Sequence, residues 1–283
     1  MPVSLPPALE RSLRLLRCPT CRARDLTFGR GALRCPVGHS FDVARHGYAG
    51  LLTGARATSG DDAAMVRARS RFLSTGAYAP LREAAARLAA GAAPGQATVV
   101  DVGCGTGYYL AGVLDRLPGA HGLGLDTSVR ALRSAARAHE RAAAASWDVF
   151  RPFPLADGAV DVVLDVFAPR NPAEFHRVLR PTGRLVVVRP TGRHLAELHG
   201  RLPAAVTVDP CKEQRLHRAL DPYFDAAFTE HVEYAAPLTG PESLDLVAMT
   251  PSARHLRHAD LDADVVVPGQ VTVSVLVTAY RPR

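Results

Sequence analysis

Cys18, Cys21, Cys35 and His39 form a Cys-x2-Cys pair, a gap of thirteen residues, and a Cys-x3-His pair. Three thiolates and one imidazole close a tetrahedral Zn²⁺ site with no coordination position left open, which makes the metal structural rather than catalytic. Spacing alone does not separate zinc from iron, but a closed Cys3His set favours zinc. A second set of residues is Asp101-Val-Gly103-Cys-Gly105-Thr106-Gly107. Glycines between a strand and a helix allow a tight turn and remove the Cβ atoms that would block a ligand. The helix that follows offers free N–H groups. The glycine pattern by itself also fits NAD enzymes. Three carboxylates add information: Asp101 precedes the first glycine, Asp126 closes the next strand where it can grip ribose hydroxyls, and Asp148 closes the third where it can accept from an adenine amino group.

These residues need elements to hold them. Leu9, Leu13 and Leu16 share one face of a short lead-in helix, and Arg30-Gly31 turns a hairpin between 26–28 and 32–34. A metal-binding stretch of this length needs its metal as a staple. Ser59-Gly60-Asp61-Asp62 starts a helix carrying Met65, Arg69 and Phe72; Gly76 stops it, and a second helix covers Pro80–Ala90. Strands are then expected at 97–102, 122–125, ending near 147–148, at 160–166 and 183–189. Helices are expected between them at 108–117, 128–141 and 172–179. This alternation implies a parallel, doubly wound α/β sheet. Two further strands, 228–234 and 271–280, flank a helix-like 241–249. The expected organisation is a zinc module at 1–50, a helical connector at 51–95 and a cofactor domain at 96–283.

The 283 residues are 47% hydrophobic, enough for a sizeable core. The net charge of +7 is almost all arginine, Lys212 being the only lysine. Arginine suits phosphate contacts, although an Ala/Arg-rich composition also follows from a GC-rich genome. Five cysteines with metal spacing argue for a reducing compartment rather than a disulfide framework. Cys104 sits in the glycine loop and Cys211 stands alone. Without a long apolar run or a signal peptide, the expectation is a cytoplasmic protein with no membrane span.

The glycine loop with Asp101, Asp126 and Asp148 resembles the class I S-adenosylmethionine (SAM)-dependent methyltransferases, which implies a Rossmann-like, seven-stranded sheet with its last strand antiparallel. The zinc segment continues as His39-Ser-Phe-Asp42-Val-Ala-Arg-His-Gly47-Tyr48. Ser59-Gly-Asp-Asp62, Met65, Arg69, Phe72-Leu73 and Gly76-Ala-Tyr78-Ala-Pro80 follow, then the glycine loop and Phe167-Ala-Pro-Arg-Asn171. In this order they resemble the bacterial 23S rRNA (guanine-N1)-methyltransferases over nearly the whole chain. Met249-Thr-Pro-Ser-Ala-Arg-His255 points to the branch associated with tylosin-type macrolide resistance. The resemblance implies a guanine in a 23S rRNA hairpin loop near the peptide exit tunnel as substrate. It also implies cofactor contacts from Tyr78, Gly105, Thr106 and His194. By their spacing alone, Tyr78 reads as a core aromatic and His194 as a helix-start residue.

Methyl transfer to guanine N1 requires an in-line approach and removal of the N1 proton. Asp165, at the end of the fourth strand, is the candidate acceptor; the alternative is that it only orients residues 168–171. Phe167 offers a stacking face for an unpaired base, or is core. Arg22, Arg24, Arg30, Arg34 and Arg45 either hold the RNA backbone or form a solvated face. A homodimer would enlarge the limited footprint of one zinc module. Competing readings are a small-molecule methyltransferase with a zinc lid, and a non-catalytic zinc RNA-binding protein.

Overall fold

A computed structural model of the chain describes residues 4–54, 60–91, 93–199, 215, 218–250 and 268–283. Ser59, Cys211 and the 251–255 part of the Met249–His255 stretch lie outside them.

The amino-terminal part has helix α1 (Pro7–Ser12) and a three-stranded antiparallel sheet of β1 (Thr27–Gly29), β2 (Ala32–Arg34) and β3 (Ser40–Asp42). Arg30 and Gly31 both adopt positive φ at the expected turn. Helices α2 (Ala63–Ser74) and α3 (Ala79–Ala90) follow. Asp62 caps α2, its Oδ1 accepting from the N–H groups of Ala64 and Met65.

The second sheet contains β4 (Thr98–Val102), β5 (His121–Asp126), β6 (Ala142–Ser146), β7 (Val160–Val166), β8 (Leu179–Pro190), β9 (Phe224–Pro237) and β10 (Gln270–Pro282). Its order is β6-β5-β4-β7-β8-β10-β9. Strands β6, β5, β4, β7 and β8 run parallel to one another, while β10 runs antiparallel to both β8 and β9. The seven strands with an antiparallel last strand are those implied by the resemblance. Helices α4 (Tyr108–Arg116), α5 (Val129–Ala135), α6 (Pro172–Val178), α7 (Ala196–His199) and α8 (Gly240–Ala248) complete the layers.

Helix α1 stops at Ser12, so Leu13 and Leu16 lie beyond it, and two further elements are set by tertiary contacts rather than by local pattern. Helix α5 ends at Ala135 rather than near Arg141. Arg141 instead donates to the carbonyls of Leu114, Leu117 and Ala120 at the end of α4, and the ring Nδ1 of His139 accepts from the Arg141 N–H. These tertiary bonds outweigh the helical preference of the alanine-rich stretch. Strand β6 is Ala-Ala-Ala-Ala-Ser, a run with little intrinsic strand preference. It is held from both sides, by β5 and by the end of the zinc segment. The Ala49 N–H donates to the Ala144 carbonyl, and the Ser146 N–H donates to the Ala49 carbonyl. The same bonds cover the sheet edge at that point.

One hydrophobic cluster joins the two sheets. Leu9, Leu16, Leu33 and Phe41 pack in the same core as Val100, Leu123, Phe153 and Phe175. Polar contacts reinforce it. Arg22, between two metal-ligand segments, donates to the carbonyls of Phe153 and Leu155. Arg177 donates to the same two carbonyls and pairs with Glu174 and Asp157. Because Arg177 also satisfies Glu174, its loss leaves more polar atoms without a partner. Arg177→Met should lower stability by about 2–3 kcal/mol and Arg22→Met by about 1 kcal/mol, measured by urea unfolding.

Candidate metal centre and cofactor site

The ligand atoms of Cys18, Cys21, Cys35 and His39 all lie within 4.8 Å of one another. The Cys21–Cys35 sulfur separation is 3.7 Å, and His39 Nδ1 lies 3.6 Å from Cys18 Sγ and 3.4 Å from Cys35 Sγ. A tetrahedral Zn²⁺ with its usual bond lengths spaces two thiolates about 3.8 Å apart, and a thiolate and imidazole nitrogen about 3.6 Å apart. The donor set therefore fits this ion in both chemistry and size. Local backbone bonds shape the knuckles: the Arg22 N–H donates to the Cys18 carbonyl, and the Gly38 N–H to the Cys35 carbonyl. Gly38 has φ +100°, a conformation that a side chain would strain.

The glycine loop lies at the carboxy ends of β4 and β5. Gly103, Gly105 and Gly107 all have positive φ. A Cβ on Gly103 would come 2.6 Å from Ala168 Cβ, and one on Gly107 would come 2.8 Å from Ala138 Cβ. Those two glycines let the loop pack against the β7 and α5 segments. At Gly105 a Cβ would meet nothing closer than Arg69 Cδ at 3.6 Å, so this glycine faces the open side. Cys104 points away from it: its Sγ fills the space over Gly124, where a Cβ would come within 2.6 Å.

Asp126 Oδ2 accepts from the Gly105 N–H at 2.8 Å, and its Oδ1 from the Ser128 N–H at 2.7 Å. Each oxygen keeps a lone pair for a further donor. Burial raises its pKa, opposed by these two N–H groups. Asp101 is buried, and its Oδ2 has no hydrogen-bond partner among the described residues. Burial raises its pKa well above the usual range, and the nearby charges of Asp126 and Asp165 add to the effect. Asp148, just beyond β6, accepts from the Phe150 N–H at 3.0 Å. Thr106 lies between Gly105 and Gly107 in the loop.

Tyr78 and His194 lie 116 residues apart in the sequence and meet. The Tyr78 hydroxyl lies 3.5 Å from His194 Nε2, while His194 Nδ1 accepts from the Ser274 N–H at 3.2 Å. The Tyr78 ring is buried edge-on against Phe72. It is thus a core aromatic whose hydroxyl reaches His194. The other face of this group is Phe167, stacked on His194 at 5.6 Å between ring centroids. Phe167 has φ +55° and is 40% exposed, unusual for a large apolar ring at a strand end.

Asp165 is fully buried. Arg170 Nε lies 3.0 Å from its Oδ1, but the N–H is not aligned, and neither carboxylate oxygen completes a hydrogen bond among the described residues. Burial pushes its pKa up to about 7, against the opposing Arg170 charge. Arg170 and Arg69 both bear directly on the site's carboxylates and were not singled out for the site from the sequence. Each lies inside a quoted motif, but an arginine in an arginine-rich chain carries no signal until its partner is known.

A family profile described as "Methyltransferase domain" matches residues 99–183. A second, a zinc ribbon described as "RlmA, N-terminal", matches residues 16–56. A 23S rRNA (guanine(748)-N(1))-methyltransferase of Streptomyces fradiae is 45% identical over 276 residues, covering 95% of this chain and 98% of that protein. A Micromonospora griseorubida protein assigned to the same guanine-N1 activity is 47% identical, covering 94% of this chain and 97% of that protein. A Bacillus subtilis relative is 37% identical over 191 residues.

Purified chain should carry one zinc per molecule, released by a chelator and counted with a colorimetric metal indicator. Cys18→Ser should lower that content and the melting temperature together, since Leu16, Leu33 and Phe41 lose their packing when the knuckles open. The SAM-dependent methyltransferase fold, the Cys3His zinc ribbon and these near-full-length relatives together make the chain a member of the 23S rRNA (guanine-N1)-methyltransferase family.

Proposed function

We propose that this chain methylates N1 of a guanine in a hairpin loop of 23S rRNA, with residues 1–50 reading the RNA, 51–95 connecting and 96–283 binding the cofactor. The observation that carries the reading is the pairing of a glycine-loop cofactor site with an exposed Phe167 ring and a buried, un-hydrogen-bonded Asp165 at the neighbouring strand end.

S-adenosylmethionine supplies an already activated sulfonium methyl group. The chain's own residues must then hold that group, present the guanine and take its proton. With the cofactor bound, Asp126 would accept from the ribose hydroxyls and Asp148 from the adenine amino group, and the Gly103–Gly107 backbone would let it approach closely. Tyr78 and His194 border its amino-acid end. The free face of Phe167 stacks the flipped base, while His194 supports the opposite face. Asp165 accepts the N1 proton, and Arg170 stabilises the carboxylate while it is ionised.

The zinc module faces RNA through Arg24, Arg30, Arg34 and Arg45, all exposed. Arg22 is not part of that face, because its guanidinium is bound to the Phe153 and Leu155 carbonyls. Arg133 and Arg137 of the cofactor domain extend the basic surface toward Arg45; after burial, these three charges depress the pKa of His46. Neutralising phosphates in this way makes binding steeply salt-dependent. An rRNA substrate places the enzyme in the cytoplasm, and a homodimer would double the basic surface. No helix among the described residues is long and apolar enough to cross a membrane. Methylation at the exit tunnel would protect the ribosome against tylosin-type macrolides.

The test is incubation of unmodified 23S rRNA with labelled cofactor, followed by reverse transcription. An N1 methyl blocks base pairing, so a stop beside one loop guanine is expected; rRNA left unlabelled contradicts the proposal. The rate should also depend on pH. Below pH 7 Asp165 is protonated and cannot accept, so the rate should rise about tenfold per pH unit and level off above about 7. Asp165→Ala should slow transfer by about 10²–10⁴-fold and remove that acidic limb. An unchanged rate and profile would remove Asp165 from the chemistry.

A further inference from the structure

Arg69, in the middle of α2, stands over the cofactor loop with no role yet assigned. Its Nε donates to Asp61 Oδ2 at 2.8 Å and its Nη2 to the Met249 carbonyl at 2.9 Å. These two bonds hold the guanidinium plane from separate parts of the chain. Its Nη1 makes no hydrogen bond among the described residues. The side chain is 27% exposed, and its Cδ lies 3.6 Å from the point where a Cβ on Gly105 would stand. The Arg69 charge acts on Asp126, Tyr78 and Tyr109. It therefore lies beside Gly105, close enough for its charge to reach both the carboxylate suited to a ribose and the Tyr78 ring.

A cofactor that crosses Gly105 from Asp126 toward Tyr78 brings its amino-acid tail into this space. The tail ends in a carboxylate, which must be neutralised and hydrogen-bonded where water is limited. The acidic Asp126 borders this space and offers the tail no positive charge, so a cation has to intervene. A guanidinium already oriented by two other bonds gives the donor fork that a carboxylate accepts. We propose that Arg69 binds the methionine carboxylate of S-adenosylmethionine, oriented for that task by Asp61 and the Met249 carbonyl. The proposal rests on the reading of the Gly103–Gly107 loop and Asp126 as the cofactor site. The Asp61 carbonyl accepts from the Ser128 hydroxyl at 2.7 Å, and the Ser128 N–H binds Asp126. The ribose and carboxylate contacts are thereby tied through the connector.

The experiment is calorimetric titration of wild type, Arg69→Met and Arg69→Lys with two ligands. One is S-adenosylhomocysteine; the other is its decarboxylated analogue, which keeps the adenosine, sulfur and amine. Arg69→Met should lose about 10- to 100-fold in affinity for S-adenosylhomocysteine, the worth of a charged hydrogen-bonded contact, and change by less than about twofold toward the analogue. Arg69→Lys, which keeps the charge and most of the packing, should recover part of the loss and serves if Arg69→Met does not fold. Equal losses for both ligands, or no loss for either, would overturn the proposal and leave Arg69 as a tie between α2 and Met249. If wild type bound neither ligand, the cofactor-site reading would itself fail.

Discussion

Three carboxylates at the carboxy ends of three adjacent strands set the terms for the rest of this molecule. Asp126, Asp101 and Asp165 come from β5, β4 and β7, which lie side by side in the sheet. Burial raises the pKa of each, and the charges of Asp126 and Asp165 raise that of Asp101 further. A fold with such groups inside it must supply donors, cations or protons around them. The Gly105 and Ser128 N–H groups do so for Asp126, and Arg170 approaches Asp165. Asp101 Oδ2 has no partner among the described residues. Polar capacity left open in a buried place suits a ligand rich in hydroxyl, amino and N–H donors, as a nucleoside is.

The same constraint explains why the connector and the zinc segment are not appendages. Arg69 and Asp61 bring a cation and a hydrogen-bonded backbone from the connector to the open side of the loop. The zinc segment covers β6 through Ala49 and shares a core with β4 and β5. Opening the zinc knuckles would loosen packing directly under the strands that carry Asp101 and Asp126. The ion therefore supports the site mechanically without entering the chemistry.

Much of this was legible in the residue order. The four metal ligands, the glycine loop and the strand-end aspartates depend on short-range spacing, and the structure gathers the four ligands within coordination distance. Strand β7 was legible to the residue because Val160–Val166 is rich in β-branched side chains. What stayed hidden was tertiary. The alanine run of β6 carries no strand signal of its own, and α5 is cut short by bonds from Arg141 and His139. Arg22 was read with its neighbouring arginines as either an RNA contact or part of a solvated face, but two carbonyls 131 and 133 residues away claim its guanidinium. Arg69, Arg170 and Arg177 are likewise told apart from other arginines only by what they touch.

The most direct test of this account is a crystal structure of the chain with S-adenosylhomocysteine. The account predicts the adenosine ribose hydroxyls within hydrogen-bond distance of Asp126, about 2.7 Å, with the ligand crossing Gly105. Its sulfur should then lie on the side of Tyr78, His194 and Phe167. A ligand seated elsewhere, or one that reached the loop with Asp126 still bound only to Gly105 and Ser128, would contradict it.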